Sequence, residues 1–264
     1  MPTVKYPHMK TVMIVGDSWA CGEWQWTASD PDGRSGSVVH PGTRQYLEEA
    51  GHGVIMVADP GASNWAQLDR LEPYHALQQP GSRHLLTDTD VILWFLTDPF
   101  RDLMNRQFLD IDLTGLALTG DEHQPRDRAS YDAAWDLLMR NSLAHMARLA
   151  QGRPVLMVGG VAPVPAWTRQ VYPEWRVVTE DWVRWLIPDS QASMTHNNRN
   201  WRYTDCDEEL LGFHEQAEQQ AFMFRWRAQN NANSLERRYW WPDGTHPNRL
   251  AHQRLTQELI LPLL

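Results

Sequence analysis

The chain has 264 residues, 42% of them hydrophobic, which is long enough to core one α/β domain. Its 24 basic against 33 acidic residues leave a formal charge of −9, which argues against a phosphate-backbone partner, and no run reaches the roughly 18 apolar residues of a membrane span. Residues 1–11 lack the apolar core of a signal peptide, and Cys21 and Cys206 are too few for a disulfide framework, so the chain as given reads as a cytoplasmic protein.

In chain order, the first element is a buried strand, Val12 to Val15, closed by Gly16-Asp17-Ser18. Ser18 stands where a helix should begin, at the carboxyl end of the strand. Serine in that place either caps the helix or is presented as a nucleophile. Residues 23–44, rich in Gly, Ser, Asp and Pro, read as a loop in which Trp24 and Trp26 either flank a substrate or cover the sheet edge. A short helix, Thr43 to Ala50, ends at Gly51. A second strand, Val54 to Ala58, leads through Asp59-Pro60-Gly61 into a helix with Trp65, Leu68 and Leu71 at helical spacing. A third strand, Val91 to Leu96, runs into Thr97-Asp98-Pro99-Phe100-Arg101. Arg101 there either holds a substrate carboxylate or pairs with Asp98 or Asp102.

Residues 105–128 show no clear period, and Tyr131 to Leu149 predicts a long amphipathic helix stopping at Gly152. A fourth strand, Pro154 to Val158, precedes Gly159-Gly160. The segment 162–203 carries Trp167, Trp175, Trp182, Trp185 and Trp201 and a fifth short strand near Arg176 to Thr179. It reads as a lid or rim, its tryptophans suited to stacking on sugar rings or equally to packing or a subunit interface. Helices are expected over Asp207 to Ala228 and Asn248 to Leu261. Strand–helix alternation of this kind predicts a three-layer α/β/α sandwich around a parallel sheet of about five strands, flavodoxin-like in winding, with residues 1–264 as a single domain.

Candidate chemistry gathers near the two ends. WWPDGTHPNRLAH, residues 240–252, sets Asp243 and His246 three apart on a loop before a helix. A serine nucleophile needs a base to take its proton and a carboxylate to hold that base, and this loop supplies both types. No GxGxxG follows a strand and no GxxxxGK[ST] occurs, so no phosphate cradle for a cofactor is expected. Asp205, Cys206, Asp207 and His214 match no metal-ligand spacing. The absence of GxSxG argues against an α/β-hydrolase.

Gly16-Asp17-Ser18 with Gly22 near the start, and Asp243-x-x-His246 followed by Pro247-Asn248 near the end, resemble the blocks of the SGNH hydrolases, also called GDSL-type esterases and lipases. The resemblance implies an SGNH fold and a Ser18–His246–Asp243 triad. It also implies an oxyanion hole from Ser18 and from Gly61 of the second block. The third block, normally Gly-x-Asn-Asp, reads Phe95-Leu96-Thr97-Asp98, so its glycine and asparagine are both replaced. Thr97 is the expected stand-in for the asparagine, Asn64 is another source of an amide, and Asn64, Asp98 and Arg101 are candidate substrate contacts. The function implied is hydrolysis of a small acyl ester, such as an O-acetyl group on carbohydrate, without cofactor or metal. The alternative is a glycan-binding or structural module that keeps the fold without the catalysis.

Overall fold

The computed structural model describes residues 9–26, 36–72, 86–99, 101–102, 128–186 and 246–264. The strands are β1 (Thr11–Val15), β2 (Glu23–Trp26), β3 (Gly36–His40), β4 (Gly53–Met56), β5 (Val91–Phe95), β6 (Val155–Val158) and β7 (Arg176–Thr179), of which β1, β5 and β6 are short apolar runs closed by turn residues. The helices are α1 (Ser18–Cys21), α2 (Thr43–Glu49), α3 (Asn64–Asp69), α4 (Arg128–Ala150), α5 (Thr168–Val171), α6 (Trp182–Leu186) and α7 (Arg249–Arg254). The last of these continues through a π-helical stretch, Leu255–Ile260, into a 3₁₀ turn, Leu261–Leu263.

Five strands form one parallel sheet in the order β4-β1-β5-β6-β7. Counted within the sheet alone this is 2-1-3-4-5, the flavodoxin-like winding expected from the sequence. β1 and β5 lie side by side, with Met13 opposite Ile92, and the order reverses between them. Because strand side chains alternate, Met13 and Val15 join α3 and α4 in one core, while Val12 and Ile14 join α2, α6 and α7 in the other. The result is three layers, α/β/α.

Three elements differ from the sequence reading. Residues 23–26 and 36–40 are not loop but the antiparallel pair β2–β3, built on a polar–aromatic alternation, Glu23-Trp24-Gln25-Trp26, that the Gly- and Ser-rich surroundings concealed. α4 runs from Arg128, beyond the Tyr131 to Leu149 span. Asn248 lies outside the last helix as its cap, its side chain accepting from the Ala251 N–H at 3.1 Å. The described tryptophans of 162–203 make packing contacts, one of the alternatives the sequence left open. Trp182 is wholly buried against Trp19, Phe95 and His252. Trp175 is buried and stacked on Tyr172 at 4.3 Å. Arg140 covers Trp167 at 4.2 Å and Arg254 covers Trp185 at 5.0 Å. Trp201 and the helix expected over 207–228 lie outside the described residues, as do residues 105–127. Among the described residues, no helix is long and apolar enough to cross a membrane.

Candidate active site

β1 ends at the switch point of the sheet, where the crevice of a doubly wound fold opens. Gly16 makes the turn there because no side chain fits: a Cβ on it would lie 2.4 Å from Ala20 Cβ and 3.0 Å from Phe95 Cβ. The cap of α1 is Asp17, whose Oδ1 accepts the Trp19 N–H at 2.9 Å. Ser18 is therefore the first residue of the helix and is not its cap.

Asp17 is held from the neighbouring strand end. Its Oδ2 accepts the Thr97 hydroxyl at 2.7 Å and Arg101 Nη1 at 2.7 Å, and the same Nη1 donates to Thr97 Oγ1 at 2.8 Å. Two expectations change. Arg101 pairs with Asp17 rather than with Asp98 or Asp102. The Thr97 hydroxyl gives its hydrogen to a carboxylate, so in this arrangement it has none for an oxyanion. Asn64 is likewise engaged, its Nδ2 donating to the Thr97 carbonyl at 2.9 Å and its Oδ1 accepting the Thr97 N–H at 3.0 Å. It is buried, as is Asp98, so neither Asn64 nor Asp98 presents a surface to substrate.

Gly61 follows β4 in a turn fastened to the serine turn, for the Asp59 N–H donates to the Gly16 carbonyl at 3.1 Å. Its φ of +74° lies in the left-handed region that glycine enters without strain. Asp102, close behind, is fully buried and accepts the Trp65 N–H at 2.9 Å. Burial raises its carboxyl to about 7, despite hydrogen bonds from Ser63 and Trp65.

His246 reaches this end of the sheet from the other end of the chain. Its ring lies 5.5 Å, centroid to centroid, from Trp24, tilted by 33°. The Trp24 indole N–H in turn donates to the Ser18 carbonyl at 2.8 Å. Arg249, three residues past His246, grips Glu23 with its backbone N–H (2.6 Å), Nε (2.9 Å) and Nη2 (2.8 Å). Burial acts to raise the Glu23 carboxyl, but the side-chain and backbone hydrogen bonds from Arg249 outweigh it and hold it below the usual range. His252 is wholly buried, with Nδ1 accepting the Thr43 N–H at 3.2 Å. Desolvation depresses it to about 3, so it is neutral packing rather than a base. Asp243 lies outside the described residues.

The sequence reading passed over Glu23, Arg249 and His252. Glu23 carried a signal, its place in a period-2 alternation. The other two show only helical spacing, which does not reveal their partners. Cys21, three residues past Ser18, is raised to about 12 chiefly by burial, so its thiol stays protonated. Among the described residues no group of His, Cys, Asp and Glu is placed to hold a metal ion.

No protein-family model matches the chain, and no curated protein matches it in sequence. Solved structures similar to it include a lipase/acylhydrolase from Enterococcus faecalis, 14% identical over 97% of this chain and 95% of that one, with a TM-score of 0.37. A GDSL-like lipase from Bacteroides thetaiotaomicron is 14% identical over 99% of this chain and 89% of that one, at 0.37. A catalytic mutant of an acetylxylan esterase from Geobacillus stearothermophilus is 11% identical over 94% and 91%, at 0.36. Each of these TM-scores lies below 0.5, and the fold assignment rests on the strand order.

Proposed function

We propose that the protein is a serine esterase of the SGNH type, acting on small acyl esters. The observation that carries this reading is the state of Ser18: it stands at the sheet's switch point, relieved of capping by Asp17, and is linked through Trp24 to His246. In the proposed reaction His246 takes the Ser18 proton as Oγ bonds to the ester carbonyl carbon. The oxyanion so formed is met by the backbone N–H groups of Ser18 and Gly61. Collapse breaks the bond to the alcohol, which leaves with the proton from His246. A water deprotonated by His246 then attacks the acyl-serine, releasing the acid and restoring Ser18. Asp243 is the proposed partner that steadies the imidazolium.

Small acyl esters, with carbohydrate O-acetyl groups among them, are the first class to screen. A second reading, a glycan-binding or structural module without catalysis, is favoured by one observation: Thr97 replaces the third-block asparagine and its hydroxyl serves Asp17. Intact mass after fluorophosphonate treatment separates the two. A single adduct on the wild type and none on Ser18→Ala is expected, with His246→Ala slowed roughly 10³-fold or more. Absence of an adduct on the wild type would favour the binding module, to be pursued with glycan-binding assays.

A further inference from the structure

We infer that Trp24 is a positioning residue that sets the nucleophile and the base against each other; the inference rests on the esterase reading. Ser18, at the start of α1, and His246 come from opposite ends of the chain, and the Trp24 side chain touches both. The Trp24 indole N–H donates to the Ser18 carbonyl at 2.8 Å, which fixes the peptide plane between Ser18 and Trp19 at the start of α1. The same ring lies 5.5 Å, centroid to centroid, from the His246 imidazole at a tilt of 33°. The adjacent residue on the strand, Glu23, is buried and holds the backbone N–H and guanidinium of Arg249, so β2 also fixes the base of the loop that carries His246. β2 thus acts as a joint between the two halves of the site.

This placement bears on the chemistry. Both half-reactions put a positive charge on the imidazole, and an indole face within about 6 Å attracts such a charge. The ring also limits the orientations that the imidazole can take toward Ser18 Oγ. A tryptophan serving only as a wall for substrate would lose binding when replaced. One that aligns the reacting groups would lose turnover.

The experiment compares kcat and KM for p-nitrophenyl acetate in wild type, Ser18→Ala, Trp24→Phe, Trp24→Leu and Arg249→Met, each shown by thermal unfolding to be folded at the assay temperature. Trp24→Phe keeps a ring face and loses the N–H, while Trp24→Leu loses both. A hydrogen bond and a cation–ring contact are each worth a few-fold to about ten-fold, so kcat should fall about 5-fold in Trp24→Phe and about 30-fold in Trp24→Leu. KM should stay within about two-fold of wild type, the pattern of an interaction realised in the transition state. Arg249→Met, which cuts the guanidinium clasp on Glu23 and leaves Trp24 and Ser18 unaltered, should also lower kcat. A rise in KM with kcat retained would make Trp24 a substrate contact and overturn the inference, as would unchanged kinetics in Trp24→Leu. A wild type with no Ser18-dependent turnover would overturn the esterase reading and this inference with it, an outcome visible before any Trp24 variant is measured.

Discussion

Asp17 is fully buried and its carboxylate serves three donors at once: the helix N–H of Trp19, the Thr97 hydroxyl and the Arg101 guanidinium. An ionised carboxylate withdrawn from water is costly without a counter-charge, and Arg101 is the one cation that pairs with it among the described residues. Arg101→Met should therefore lower stability by about 3 kcal/mol, read as a drop in the urea midpoint. The double variant Asp17→Asn/Arg101→Met should recover most of that loss, since it removes the stranded charge as well. Equal stability of the single and double variants would show that a stranded charge is not what destabilises Arg101→Met. The sequence identified the Gly-Asp-Ser turn, but it could not show what the altered third block does. Thr97 lies 80 residues from Asp17, and local pattern says nothing about such a partner. A hydroxyl at that strand end can serve an oxyanion or a neighbouring carboxylate, and only the fold brings Asp17 within its reach.

Between elements, Asn64 joins α3 to the end of β5 by accepting from and donating to the backbone of the same residue, Thr97. Both Thr97 backbone groups at this point are buried, and both would lose their partner in Asn64→Ala. The expected cost is roughly 2–6 kcal/mol, a stability loss detectable by thermal unfolding, because each of the two unsatisfied buried groups costs about 1–3 kcal/mol. Retention of the wild-type midpoint would mean that water takes the place of the amide. The main-sheet strands were legible because strands covered on both faces must be continuously apolar. β5 reads VILWF and is buried throughout. β7 was found at Arg176–Thr179 although it is partly exposed, since β-branched residues there stand out from their neighbours. The β2–β3 pair was missed because it borders no core layer and lies among turn-forming residues.

At the scale of the whole molecule, two buried titratable groups oppose each other in acid. His252 stays neutral down to about 3 in the fold, against 6.5 for a free side chain, so between those values the unfolded chain binds more protons and stability rises with pH. Asp102 keeps its proton up to about 7, against 3.8 when free, so between those values the folded chain binds more and stability falls as pH rises. Each slope is at most about 1.4 kcal/mol per pH unit, and from about pH 4 to 6.5 the two offset. Asp102→Asn should unmask the histidine, giving a urea midpoint that climbs with pH over this range, and His252→Gln should give the opposite slope. Parallel curves for both variants and wild type would refute this account. The α/β/α layering was readable from the sequence, whereas these buried groups acquire their character only from what packs around them. The clasp between Glu23 and Arg249 spans 226 residues. At ribosomal rates of about 5–20 residues per second, the chain is synthesised for roughly 10–45 s between the two halves of that clasp. All five main-sheet strands are made before the second half emerges, so the nascent protein carries its serine turn for most of its synthesis without the histidine loop that would complete the site.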